Sequence, residues 1–195
     1  VFFYKTGKIR HTRSPISRNF SYLCSVVAFI PTIMMYMEEV KRIPYGVSNF
    51  VDVIEQNQYY VDKTMYLPLL EDQPSNLFLI RPRRFGKSIF LSMMSAYYDI
   101  ARKDDFERLF GNLWIGSHPT RLQGTFQIMS FDFSRVGGSR EQLEVNFQIY
   151  CTGELNIFMN KYHDFYSDHI RAQFEAAPTF EAKLQVILGE AHLRN

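Results

Sequence analysis

Apolar positions fall into two spacings along this chain. Ile89, Phe90, Met93, Met94 and Tyr97 recur every three or four residues, which predicts a helix with one buried face. Just before it, residues 76–80 (Asn-Leu-Phe-Leu-Ile) are apolar with little alternation, the pattern of a strand covered by helices on both faces of a parallel sheet. Residues 126–133, punctuated by Gly124 and Gly137-Gly138, predict a second strand. Further helices are expected over residues 140–161 and 180–192, with Leu143, Phe147, Leu184, Ile187 and Leu188 as core stripes, and a short one over 104–111 stopped by Gly111. Ahead of these, the chain reads as a turn at Pro44-Tyr45-Gly46, a short helix capped by Ser48 and a small strand at residues 59–61. A helical turn over residues 65–70 follows, N-capped by Asp62 or Thr64, with Pro68 near its start. Together these elements predict an α/β fold: a parallel sheet flanked by helices, with a short N-terminal helical prelude, of the P-loop NTPase type if the junction at residues 81–88 (Arg-Pro-Arg-Arg-Phe-Gly-Lys-Ser) binds phosphate.

The junction between the first strand and its helix carries the chemistry. It reads Arg81-Pro82-Arg83-Arg84-Phe85-Gly86-Lys87-Ser88, against a P-loop pattern of glycine, four residues, then Gly-Lys-Ser/Thr. Backbone amides at the start of such a helix point at a phosphate and add to the positive end of the helix dipole. Gly86 lets the backbone approach without a Cβ, Lys87 reaches β and γ oxygens, and Ser88 offers its hydroxyl to Mg²⁺. The first glycine is replaced by Arg81. Gly-Lys-Ser after an apolar run therefore fits a phosphate cradle or a helix that simply begins with those residues. Arg83 and Arg84 favour the cradle, because guanidiniums crowded beside a helix start repel one another unless an anion sits among them; the competing reading is a solvated basic loop. Hydrolysis also needs an acid beside the metal. Asp132, after the run 127–131, is the internal candidate for that catalytic role with Lys87, the competing reading being that Asp132 and Ser134 shape the site or cap a turn.

Four runs carry a family resemblance: Ile43-Pro44-Tyr45-Gly46, Tyr60-Val61-Asp62-Lys63-Thr64, the octet ending at Ser88, and Phe131-Asp132-Phe133-Ser134. They resemble the bacterial AAA-ATPase-like proteins whose complete forms end in a restriction-endonuclease-like nuclease domain. The likeness extends over residues 40–195, and an altered first glycine is the rule in that family. The resemblance implies binding of ATP with Mg²⁺ at a Walker A site made of Arg83, Arg84, Phe85, Gly86, Lys87, Ser88 and Ile89, with Ser88 on the metal. It also implies an acidic strand after a helix like that over residues 180–192, so the chain reads as an N-terminal fragment, incomplete at its C-terminal edge, that binds nucleotide and turns over little of it. Nucleotide, and a nuclease domain in the full-length protein, are the partners this implies.

Composition and charge narrow the alternatives. The 195 residues, 46% of them hydrophobic, suffice for one core. Residues 1–37 hold five Lys/Arg and no Asp/Glu, leaving 17 of the 22 Lys/Arg against all 20 Asp/Glu in the body over residues 38–195. The body is thus slightly acidic, and charge gives no support for a nucleic-acid-binding face. The basic-then-apolar order of residues 1–37 fits a signal peptide or anchor, or a translated upstream stretch outside the fold. Cys24 and Cys151 have no partners at metal spacing, which suits a reducing, cytoplasmic setting without membrane spans. Two other readings stay open: a non-catalytic interaction module with nucleotide as structural ligand, and a nucleic-acid-associated protein using the loop arginines.

Overall fold

The structure is a computed structural model that describes residues 2–5, 41–73, 76–80 and 82–193. The expectations for Arg81, for Cys24 and for nearly all of residues 1–37 lie outside the described residues. In chain order the elements are β1 (Phe2–Lys5), α1 (Phe50–Glu55), α2 (Leu67–Glu71), α3 (Lys87–Tyr98), α4 (Phe106–Phe110), α5 (Trp114–Ser117), β2 (Phe126–Met129), α6 (Leu143–Lys161), α7 (Asp168–Ala176) and α8 (Phe180–Leu193), with 3₁₀ turns between several of them.

The expected parallel sheet is overturned. The described fold is predominantly helical, and its ladder is antiparallel: β1 pairs with β2, Phe2 opposite Met129 and Lys5 opposite Phe126. Residues 76–80 enter no ladder, and Leu77 to Ile80 are 38% to 91% exposed. A strand is defined by its neighbours, since each of its amides and carbonyls needs a partner. Among the described residues nothing pairs with this run, so its apolar sequence does not make it a strand. The small strand expected at residues 59–61 is likewise unpaired chain, with Tyr59 donating its amide to Arg42 instead.

Two cores hold the molecule. In the first, α1 to α5 meet through Phe50, Leu67, Met93, Tyr97, Phe110 and Ile115; the Phe50 ring stacks on Phe110 at 5.0 Å between centroids. The second gathers α6, α7 and α8 around Leu155, Phe158, Tyr162, Phe174 and Ile187. Strand β2 serves both, because alternate residues face opposite sides: Ile128 belongs to the first core and Met129 to the second.

Helix ends follow local chemistry, with some shifts from expectation. The α1 cap is Asn49 rather than Ser48: its side-chain oxygen accepts from the Val51 amide at 3.1 Å. Ser92 of α3 accepts from Phe50 and donates to Asn49, tying the start of α1 to α3. Gly111 ends α4 with an ordinary right-handed backbone; the close approach of the Glu107 carbonyl, 2.5 Å from where a Cβ would stand, is what suits a glycine there. Helix α6 buries Cys151, Leu155, Phe158 and Met159, leaving the expected core residue Leu143 at 47% exposure, and Leu188 of α8 is at 49%. Trp114 is 39% exposed and stacks on His118.

Candidate functional site

The loop entering α3 turns twice through the left-handed region, at Arg84 (φ 67°) and at Gly86 (φ 72°). Glycine adopts that conformation freely, whereas a residue with a Cβ does so rarely. Gly86 is the N-cap of α3, and having no side chain it gives the helix start no capping hydrogen bond. The first turn of α3 therefore has no side-chain cap from its N-cap residue, and it closes with the Phe90 amide on the Gly86 carbonyl at 3.0 Å. Arg83, Arg84, Phe85 and Ser88 are exposed, while Lys87 and Ile89 are half-buried. The seven residues singled out from sequence thus form one continuous surface feature at the N-terminus of a twelve-residue helix.

Behind this loop lies a residue whose role sequence reasoning did not single out. A Cβ built on Gly86 would stand 3.5 Å from the Lys63 ammonium and 3.4 Å from Ile89 Cγ2. The residues flanking Lys63 explain its placement. The Asp62 carboxylate accepts from the Thr64 amide (2.8 Å), the Thr64 hydroxyl (2.7 Å) and the Trp114 amide (2.7 Å), and the Thr64 hydroxyl accepts from the Ile115 amide at 3.1 Å. Asp62 and Thr64 thereby cap α5 and fix the segment to the first core. Lys63, between them, reaches Gly86.

Ser88 also lines a cleft of about 600 Å³ between α3, β2 and α6, together with Asp99, Arg102, Asp132, Glu154 and Lys161. Ser88 and Asp132 are therefore brought to one cleft from 44 positions apart. The Asp132 carboxylate is occupied locally: it accepts from the Ser134 hydroxyl (2.6 Å) and amide (3.1 Å), lies 3.8 Å from Arg135, and is 61% exposed. The Ser134 hydroxyl bond, then its amide, hold Asp132 below the usual carboxylate range. Among the lining residues Asp99 is 2% exposed and accepts from Lys161, from the Tyr162 hydroxyl (2.8 Å) and from the Ala101 amide (2.9 Å). Tyr162 in turn accepts from the Ile128 amide at 2.8 Å, so this network joins α3, β2 and α6. No local pattern reveals it, since Asp99 and Lys161 are 62 residues apart.

The sequence profile described as "Predicted AAA-ATPase" matches residues 44–191, about three quarters of the chain. The chain belongs to the AAA-ATPase-like family. The matched span of this AAA-ATPase-like protein contains the whole α3 loop, Lys63 and the cleft. It is also similar to an "Uncharacterized protein in vnfD 5'region" of Azotobacter chroococcum mcd 1, 42% identical over 59 residues, which is 30% of this chain and 11% of that protein. No solved structure matches the chain. Among the described residues, no three His, Cys, Asp or Glu side chains converge as a ready cation cage, and no helix is long and apolar enough to cross a membrane.

Proposed function

We propose that this AAA-ATPase-like protein binds ATP with Mg²⁺ at the loop and first turn of α3. One observation carries the reading: Gly86, left-handed and without a side chain, opens the N-terminus of α3 directly onto Lys87 and Ser88. Three physical contributions support an anionic ligand there. The helix-start amides have no side-chain cap, the aligned peptide dipoles favour negative charge, and Arg83, Arg84 and Lys87 add positive charge. Lys87 is the phosphate-binding ammonium, and Gly86 allows close approach of the backbone. The Ser88 hydroxyl is the protein ligand for Mg²⁺, which when bound neutralises charge on the phosphate oxygens. Magnesium keeps several waters and needs few protein ligands, so the lack of a cage among the described residues is compatible with it.

Asp132 faces the same cleft as Ser88, but its carboxylate is committed to Ser134. That observation favours a second reading for these 195 residues, nucleotide binding without turnover, with hydrolysis depending on other acids in a longer protein. Thermal denaturation with and without Mg-ATP tests the binding reading. A ligand at a hundred times its Kd adds about 2.7 kcal/mol to stability, a visible rise in Tm. AMP at the same concentration is expected to give a smaller rise, and no rise with ATP contradicts the reading. Phosphate release by the same sample separates binding from turnover.

A further inference from the structure

We propose that Lys63 is a second phosphate-binding lysine, which makes the α3 site selective for the polyphosphate of a nucleoside triphosphate over a monophosphate. This rests on the reading of α3 as a nucleotide site and adds a residue and a specificity to it.

The Lys63 ammonium lies 3.5 Å from the position a Cβ would take on Gly86, beside the backbone that a phosphate would approach. Lys63 is half-buried, and its ammonium has no acidic partner among the described residues. Its nearest acid in sequence, Asp62, holds three donors of its own. An ammonium brings three N–H donors, and a partly buried one loses water contacts that something else must replace.

Charge points the same way. Residues 82–92 contain Arg83, Arg84 and Lys87 and no acid, so Lys63 brings a fourth cation to one small region. Such crowding is unfavourable in isolation and is relieved by a ligand carrying several negative charges. A monophosphate can satisfy Lys87 and the helix amides, whereas a triphosphate has further oxygens for Lys63 and the loop arginines.

The fold also separates support from contact. Asp62 and Thr64 are spent on the Trp114 and Ile115 amides, which fixes the backbone on both sides of Lys63. Lys63 itself makes no hydrogen bond of this kind, so its replacement by a side chain of similar length leaves the scaffold intact.

The experiment uses the full 195-residue chain and its Lys63→Gln, Lys63→Arg and Lys87→Ala variants. A fluorescent ATP analogue with Mg²⁺ is titrated into each, with displacement by inorganic tripolyphosphate and by AMP, and Tm is measured alongside. Lys63→Gln is expected to weaken triphosphate and tripolyphosphate binding roughly tenfold or more, with Tm unchanged and AMP binding nearly so. Lys63→Arg, keeping the charge, is expected to retain most of the affinity. In the wild-type chain, Mg-ATP is expected to protect Lys63 as well as Lys87 from amine acylation read by mass spectrometry, while Lys103 stays reactive. Wild-type affinity in Lys63→Gln, with binding lost in Lys87→Ala, overturns the role of Lys63 and leaves the α3 site standing. No binding by the wild-type chain overturns both. If Lys63→Gln lowers Tm, the acylation footprint decides, and equal modification of Lys63 with and without Mg-ATP overturns the proposal.

Discussion

Replacing Thr64 by valine removes a hydroxyl while keeping the side-chain shape, and the structure makes the cost calculable. Thr64 is fully buried, and so is Ile115, whose amide donates to the Thr64 hydroxyl at 3.1 Å. Valine leaves that amide without an acceptor in a dry environment, at about 1–3 kcal/mol. The Asp62 carboxylate also loses one of its three donors, but it is half-exposed and can replace that donor with water. At roughly 2–4 °C per kcal/mol for a chain of this size, Tm should fall by about 2–12 °C. Serine keeps both hydrogen bonds and loses one buried methyl, about 1 kcal/mol. Tm alone separates the two variants weakly, so the deciding assay is native-state hydrogen exchange at the Ile115 amide. Fast exchange is expected in Thr64→Val and protection in Thr64→Ser. A Thr64→Val chain as stable as wild type, with Ile115 still protected, would refute the claim that Asp62 and Thr64 anchor the Lys63 segment to α5.

Three further outcomes follow from the same geometry. Gly86→Ala forces a Cβ into a left-handed backbone at φ 72° while meeting its neighbours at 3.4 and 3.5 Å, ordinary contact distances, so the cost is conformational. About 1–2 kcal/mol is expected, seen as a lower urea midpoint, with weaker nucleotide binding; an unchanged midpoint contradicts the assigned backbone. Asp99→Ala leaves the Tyr162 hydroxyl and the Ala101 amide short of their acceptor and Lys161 unpaired but partly hydrated, for a loss of about 2–4 kcal/mol in urea unfolding. The Tyr98 and Tyr162 hydroxyls are held above the ordinary tyrosine value, first by burial and then by Glu71 and Asp99 respectively. Because the unfolded chain ionises near pH 10 while the folded chain retains these protons, stability is full below about pH 10 and declines above it. Tyrosinate absorbance and the urea midpoint followed from pH 8 to 11.5 check this, and a midpoint that rises with alkalinity contradicts it.

What could be read from sequence was local. The period of Ile89, Phe90, Met93, Met94 and Tyr97 located α3, and Gly86-Lys87-Ser88 located its start, because both depend on residues within one or two turns. Asp62 or Thr64 was expected to cap the helical turn over residues 65–70, but that turn has no side-chain cap, and the two side chains hold the α5 amides some fifty residues on instead. The strand expected at residues 76–80 failed for a nonlocal reason: apolar composition does not provide a ladder partner. Leu143 and Leu188 were placed inside by hydrophobicity, yet the phase of each helix is set by the neighbours it packs on, and α6 turns Cys151, Leu155 and Phe158 inward instead. Helix α7 carries its apolar signal in Ile170 and Phe174, four residues apart on one face, but nine residues with two large apolar side chains are too short a run to stand out from sequence. Lys63 stood in a recognisable run, but its approach to Gly86 exists only in three dimensions.

Nucleotide binding at the start of α3 is tested most directly by equilibrium titration of a fluorescent ATP analogue with Mg²⁺ into the 195-residue chain and its Lys87→Ala variant. Circular dichroism first establishes that both are folded. Saturable binding by the wild-type chain, displaced by unlabelled ATP and lost in Lys87→Ala, is the expected result. Equal binding by the two proteins, or none by the folded wild type, would contradict it.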